Sequence, residues 1–217
     1  MKMLVVFEKM GPHRFIGHLD LQRAMQRALR RSGLPVTYSQ GFNPHLMLSF
    51  AAPLSVGIQG EREVMEVPLA ASLSEANFLA KLNAVLPEGL KAKAARLLSD
   101  ETAPAMARLF AAVYSLEPLE GFDQLAAALP GFLGQTSLPY LKKTKSGDRM
   151  DDLRPLIYNL SVKEGALQAV LAFRESGTAK PDQLLASLCQ FAGILPPRCL
   201  VTRKSLLDER FAPLENA

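Results

Sequence analysis

Tryptophan is absent from this 217-residue chain, cysteine occurs twice and histidine three times. Cys189 and Cys199 are too few for a disulfide framework, and their spacing is not the C-x-x-C of a metal site. A structural zinc or an iron–sulfur cluster held by this chain alone is therefore not expected, and no metal-binding residues are assigned. No apolar run approaches the ~20 residues that cross a bilayer, so a membrane partner is not expected. The opening apolar stretch meets charge too early for a leader peptide and reads as a first strand. Residence in the cytoplasm is the expectation. Also missing are the G-x-x-x-x-G-K phosphate loop, the G-x-G-x-x-G fingerprint and any Ser-His-Asp constellation.

What is present is an ordinary globular composition, 48% hydrophobic and 21% charged, which predicts a packed core. The length exceeds the usual single-domain size of roughly 100–150 residues, so two lobes are expected. Lys2–Lys9 is apolar, rich in Val, Leu and Phe, and closed by Gly11-Pro12, which predicts a strand. From His18 the period changes. Leu21, Ala24, Met25, Ala28 and Leu29 form one stripe of an amphipathic helix that ends near Gly33-Leu34-Pro35. Met47–Ile58 and Glu63–Leu69 read as two strands of a hairpin turning at Gln59-Gly60-Glu61. A second helix begins at a Ser74 cap and runs to about Leu86, and Leu90–Leu98 reads as a fourth strand.

That order is β-α-β-β-α-β, and it recurs after the polar interruption Ser99–Pro104. The second pass has a strand near Ala107–Leu116 and a helix near Phe122–Leu129. Strands follow near Leu138–Thr144, Leu156–Val162 and Leu167–Phe173, then a helix over Pro181–Gly193 and a last strand near Cys199–Ser205. The expected fold is thus α+β: two tandem ferredoxin-like (βαββαβ) lobes, antiparallel sheets with helices on one face. The first spans residues 1–100 and carries the functional surface. The second spans residues 104–210 and has an extra hairpin around Lys145-Ser146-Gly147.

Charge is unevenly distributed. Residues 1–60 hold seven basic residues against Glu8 and Asp20, a net +5, whereas the whole chain carries +4. A localised basic face suits an anionic partner such as RNA. Arg23, Arg27 and Arg30, at i, i+4 and i+7, share the helix face opposite the apolar stripe, where guanidinium groups can pair with phosphates. A solvated outer face would show the same pattern. The loop Tyr38-Ser39-Gln40-Gly41-Phe42-Asn43-Pro44-His45 sets two aromatics, amides, a hydroxyl and an imidazole between helix and strand. Such rings can stack exposed bases while nearby arginines hold the backbone, or they can pin the loop to the core. The RNA-contact candidates in this region are Arg14, Arg23, Arg27, Arg30, Tyr38, Gln40, Phe42 and Asn43. Lys142, Lys143, Lys145 and Arg149 join them from the second half, where three aspartates offset their charge. His13, His18 and His45 all fall in the first half; His18, Asp20 and His45 are the candidates for acid–base chemistry.

Phe15-Ile16-Gly17-His18-Leu19-Asp20-Leu21, the arginine-rich helix, Tyr38–His45, Ser49-Phe50-Ala51 and Pro53-Leu54 together resemble a bacterial radical-SAM-associated family. That family is a domain of unknown function, found as a separate chain or fused behind a radical SAM protein. Lys142–Pro155 resembles it more loosely. The resemblance implies a radical SAM protein as partner. This chain lacks the C-x-x-x-C-x-x-C cluster motif, so the iron–sulfur cluster and S-adenosylmethionine are expected only in that partner, with no cofactor here. Three readings follow: an accessory subunit that binds and presents RNA, an RNA-processing or RNA-modifying enzyme using His18 or His45, and a protein–protein adaptor that touches no nucleic acid.

Overall fold

The computed structural model describes residues 1–144, 147–174 and 177–216. It is a mixed α/β structure with five helices and mostly antiparallel pairing. The chain divides into two compact units, Met1–Leu109 with Arg203–Ala217, and Phe110–Thr202.

In the first unit, β1 (Lys2–Lys9) alternates so that Met3, Val5 and Phe7 face one way, while Leu4 and Val6 are buried on the other side. α1 (His18–Arg31) lays Leu21, Met25, Ala28 and Leu29 onto the Met3–Val5–Phe7 face, as its 3.6-residue stripe requires. β2 is only Ser49–Phe50. β3 (Gln59–Pro68) pairs antiparallel with β1, Lys2 opposite Pro68 and Phe7 opposite Glu63. α2 (Glu75–Asn83) begins where the Ser74 hydroxyl accepts from the Asn77 N–H at 3.3 Å. Its Phe78 and Leu82 join the same core. β4 (Leu90–Leu98) pairs antiparallel with the far edge of β1, so β1 is central. α3 is the single turn Ala105–Arg108.

The expected hairpin turn at Gln59-Gly60-Glu61 is not a turn. These residues open β3, and the preceding segment pairs with it only at Ser49–Phe50, opposite Glu66 and Met65. Pro53 has no N–H to offer a ladder, and the bend falls instead at Gly57, whose φ of 89° is closed to most residues.

The second unit holds β5 (Ala111–Pro118), α4 (Phe122–Leu133), β6 (Pro139–Thr144), β7 (Gly147–Asp152), β8 (Ile157–Lys163), β9 (Ala166–Arg174), β10 (Gly177–Thr178) and α5 (Pro181–Ala192). β5, β8 and β10 each pair antiparallel with β9, and β6 and β7 form a separate two-stranded ribbon. α4 continues through Pro130, past the expected end near Leu129, and packs on α5, with Phe132 and Phe191 edge to face at 5.7 Å. Pro181 occupies the first turn of α5, where its missing N–H costs nothing. β11 (Cys199–Leu207) begins in this unit, and its residues from Arg203 onward belong to the first. Among the described residues no helix is long and apolar enough to cross a membrane.

Candidate nucleic-acid interface

The burial of Leu21, Met25, Ala28 and Leu29 turns the opposite side of α1 outward, and Arg23, Arg27 and Arg30 are all exposed there. Asp20 meets Arg23 at 3.1 Å, a pair open enough to solvent to be worth only ~0.2–1 kcal/mol. Arg27 and Arg30 make no ion pair or hydrogen bond among the described residues, so their donors face solvent.

The aromatic loop is an ordered arm. Thr37 N–H donates to the Pro68 carbonyl at 3.0 Å, Met47 N–H to the Thr37 carbonyl at 3.0 Å, and Ser39 N–H to the His45 carbonyl at 2.8 Å. At the neck, the Ser39 hydroxyl lies 2.7 Å from His45 Nδ1 and accepts from the His45 N–H at 3.0 Å. Five residues, Gln40–Pro44, make the exposed tip, with Gly41 at a φ of 120° that a side chain would resist. Phe42 is fully exposed and Tyr38 partly so. Gln26, on the helix between Arg23 and Arg30, donates its side-chain amide to the Leu46 carbonyl at 3.4 Å. This hydrogen bond ties the root of the arm to the helix that carries the arginines.

Arg14 and Phe15 flank the same helix at its start. The Arg14 guanidinium lies 4.6 Å from the centroid of the Phe15 ring, which is 60% exposed. The histidines have separate neighbours: His13 is packed against Gly89, His18 is edge-on to Phe50 at 5.2 Å, and His45 is held by Ser39. His18 Nδ1 is buried without a hydrogen-bond partner among the described residues. Among the described residues, no three His, Cys, Asp or Glu side chains gather as metal ligands would.

In the second unit, Lys142 and Arg149 both reach Asp151, at 3.1 and 3.3 Å, so their charge is partly engaged within the ribbon. The Asp151 carboxyl is held below its ordinary range, first by its hydrogen bond from Lys142. The side chain of Lys143 and the whole of Lys145 lie outside the described residues.

Sequence reading missed a buried charge cluster under the loops of the first unit. Lys9, Glu63 and Arg203 are each almost wholly buried. Arg203 grips Glu63 with two bonds of 2.5 and 2.8 Å and donates to the Ala52 and Pro53 carbonyls at 3.4 and 3.1 Å. Lys9 donates to the Ile16 carbonyl at 3.2 Å and, at a long 3.5 Å, to that of Arg14. Burial pushes the Lys9 ammonium below its ordinary value; the charge of Glu63 opposes that shift and Arg203 adds to it. The signal was present: Lys9 continues the Met3, Val5, Phe7 phase, and Glu63 the phase of Met65 and Val67.

The fold and this surface define an α/β protein whose first unit presents a basic and aromatic face. The chain belongs to the family described as "uncharacterized protein conserved in bacteria" (DUF2344), which it matches over residues 2–181. No curated protein matches it.

Proposed function

We propose that the chain is an accessory subunit whose first unit binds single-stranded RNA and presents it to a radical SAM enzyme. The observation that carries the RNA reading is the Gln26–Leu46 hydrogen bond, which ties the root of the arm bearing Tyr38 and a fully exposed Phe42 to the helix that carries Arg23, Arg27 and Arg30. Guanidinium groups would neutralise phosphates, and a splayed base would stack on Phe42, with Gln40 and Asn43 beside it. The partner rests on the resemblance of Phe15–Leu21 and Tyr38–His45 to radical-SAM-associated proteins, with the cluster and S-adenosylmethionine carried by that cytoplasmic partner. The order β1-α1-β2-β3-α2-β4, with both longer helices contributing to one core, supports reading the first unit as ferredoxin-like.

The test is binding of a short oligoribonucleotide across a salt series. Replacing Arg23, Arg27 and Arg30 by alanine should flatten the salt dependence by up to ~2 log units per log unit, about 0.7 for each single-strand phosphate no longer neutralised. Phe42→Ala should cost about 1–3 kcal/mol and leave the salt slope unchanged. Because Phe42 is fully exposed, its removal cannot be confused with unfolding. If both variants bind like the parent, the RNA reading fails and the adaptor reading replaces it.

A further inference from the structure

We propose that Arg14 and Phe15 form a second base-stacking plate of the first unit, and that buried Lys9 is the positioning residue that sets it. The inference rests on the RNA reading and deepens it by adding a stacking site at the start of α1. Phe15 keeps most of its ring in solvent, and the Arg14 guanidinium against it leaves the plate cationic. An exposed ring beside a guanidinium attracts an electron-rich, flat, anionic ligand, and an unpaired nucleotide has those properties.

The plate is fixed through its backbone. The Arg14 carbonyl accepts from the Gly57 N–H at 2.8 Å and from Lys9 Nζ, while the Ile16 carbonyl accepts from Lys9 as well. One buried ammonium therefore ties both residues that bracket Phe15. Two carbonyls do not by themselves justify burying a charge; Glu63 supplies the counter-charge, and Arg203 holds Glu63 in place. Arg203 in turn holds the Ala52 and Pro53 carbonyls, on the segment that leads to Gly57. The cluster thus links the two loops that meet at the Arg14–Gly57 bond.

Lys9→Met keeps an unbranched side chain one atom shorter, removes the ammonium and leaves Glu63 paired with Arg203. Phe15→Ala alters only an exposed ring. Both variants and their combination would be titrated with a fluorescent oligouridylate and a fluorescent oligoadenylate, at a temperature where circular dichroism shows each to be folded. Phe15→Ala should weaken binding about 5- to 150-fold, the range that loss of one stacked base gives. Lys9→Met should weaken it to a similar extent, speed hydrogen exchange of the Gly57 amide at least tenfold, and add little when Phe15 is already alanine. Phe15→Ala binding like the parent overturns the plate. Lys9→Met with parental binding, parental Gly57 exchange or losses that add fully to those of Phe15→Ala overturns the positioning role. A parent that binds neither oligonucleotide overturns the RNA reading itself, and the plate with it.

Discussion

Glu63 and Arg203 stand 140 residues apart in sequence and are joined by two hydrogen bonds inside the first unit. The next residue along β11, Lys204, makes an ion pair with Glu61, but both of those side chains are substantially exposed. The two pairs should therefore differ sharply in their effect on stability. Arg203→Met leaves a buried carboxylate and the Ala52 and Pro53 carbonyls without this donor, and should cost about 3–5 kcal/mol. Lys204→Met should cost under about 1 kcal/mol. Urea unfolding of the two variants checks this, and equal midpoints would refute the assignment of Arg203 as the buried anchor.

Gly60 is glycine for space. A Cβ built there would lie 2.5 Å from Glu63 Cγ and 2.8 Å from its Oε1, and no positive φ is involved. Gly60→Ala should push the carboxylate off Arg203 and cost about 1–3 kcal/mol, as overpacking does. The cost should largely vanish when Glu63 is already alanine, because the obstructing atoms are then gone. A penalty of equal size in both backgrounds would mean that the strand itself, not Glu63, demands glycine.

The same residue shows why the sequence was legible in some places and not in others. Period two in β1 and the apolar stripe of α1 are local signals, and both elements lie where their patterns put them. The Ser74 cap was equally local. Gly60 carried a turn signal with a packing cause, since a Cβ there would meet the side chain of Glu63, and the bend belongs to Gly57. Arg203 left no trace as the partner of Glu63, because a bond between distant residues has no spacing to read. On the candidate site, the exposed arginines of α1 followed from periodicity. The attachment of the arm through Gln26 and Leu46 did not, because a bond from a side chain to a distant carbonyl leaves no pattern.

Acid should act on the base of the β6–β7 ribbon. Asp152 accepts from the Leu138 N–H at 2.8 Å and from the Arg154 N–H at 2.9 Å, and its carboxyl sits below the ordinary aspartate value chiefly because of the Leu138 bond. A carboxyl whose pKa falls on folding contributes stability above its unfolded value of about 4, and that contribution is lost as pH falls through the lower folded value. Exchange of the Leu138 amide should accordingly become faster, relative to its intrinsic rate, below about pH 4. Asp152→Ala should show the faster exchange already at pH 7. A Leu138 amide equally protected at pH 3 and pH 7 would contradict the role given to Asp152.

The two thiols should be poor nucleophiles in the folded chain. Cys199 is pushed up to about 11, first by burial and then by the charge of Glu117, and burial raises Cys189 as well. Only the thiolate attacks an alkylating reagent, and a pKa near 11 leaves about a thousandth of Cys199 ionised at pH 8. An unperturbed thiol near 8.5 is ionised to about a quarter at that pH. Iodoacetamide should therefore modify Cys199 of the native protein about two orders of magnitude more slowly than free cysteine. Cys189, wholly buried, should react only through opening of the fold. In denaturant both should label at the rate of free cysteine, which makes the protection a property of the folded second unit. Native labelling of Cys199 at the free rate would mean that its surroundings are far more open to water than its place beside Glu117 and Cys189 implies.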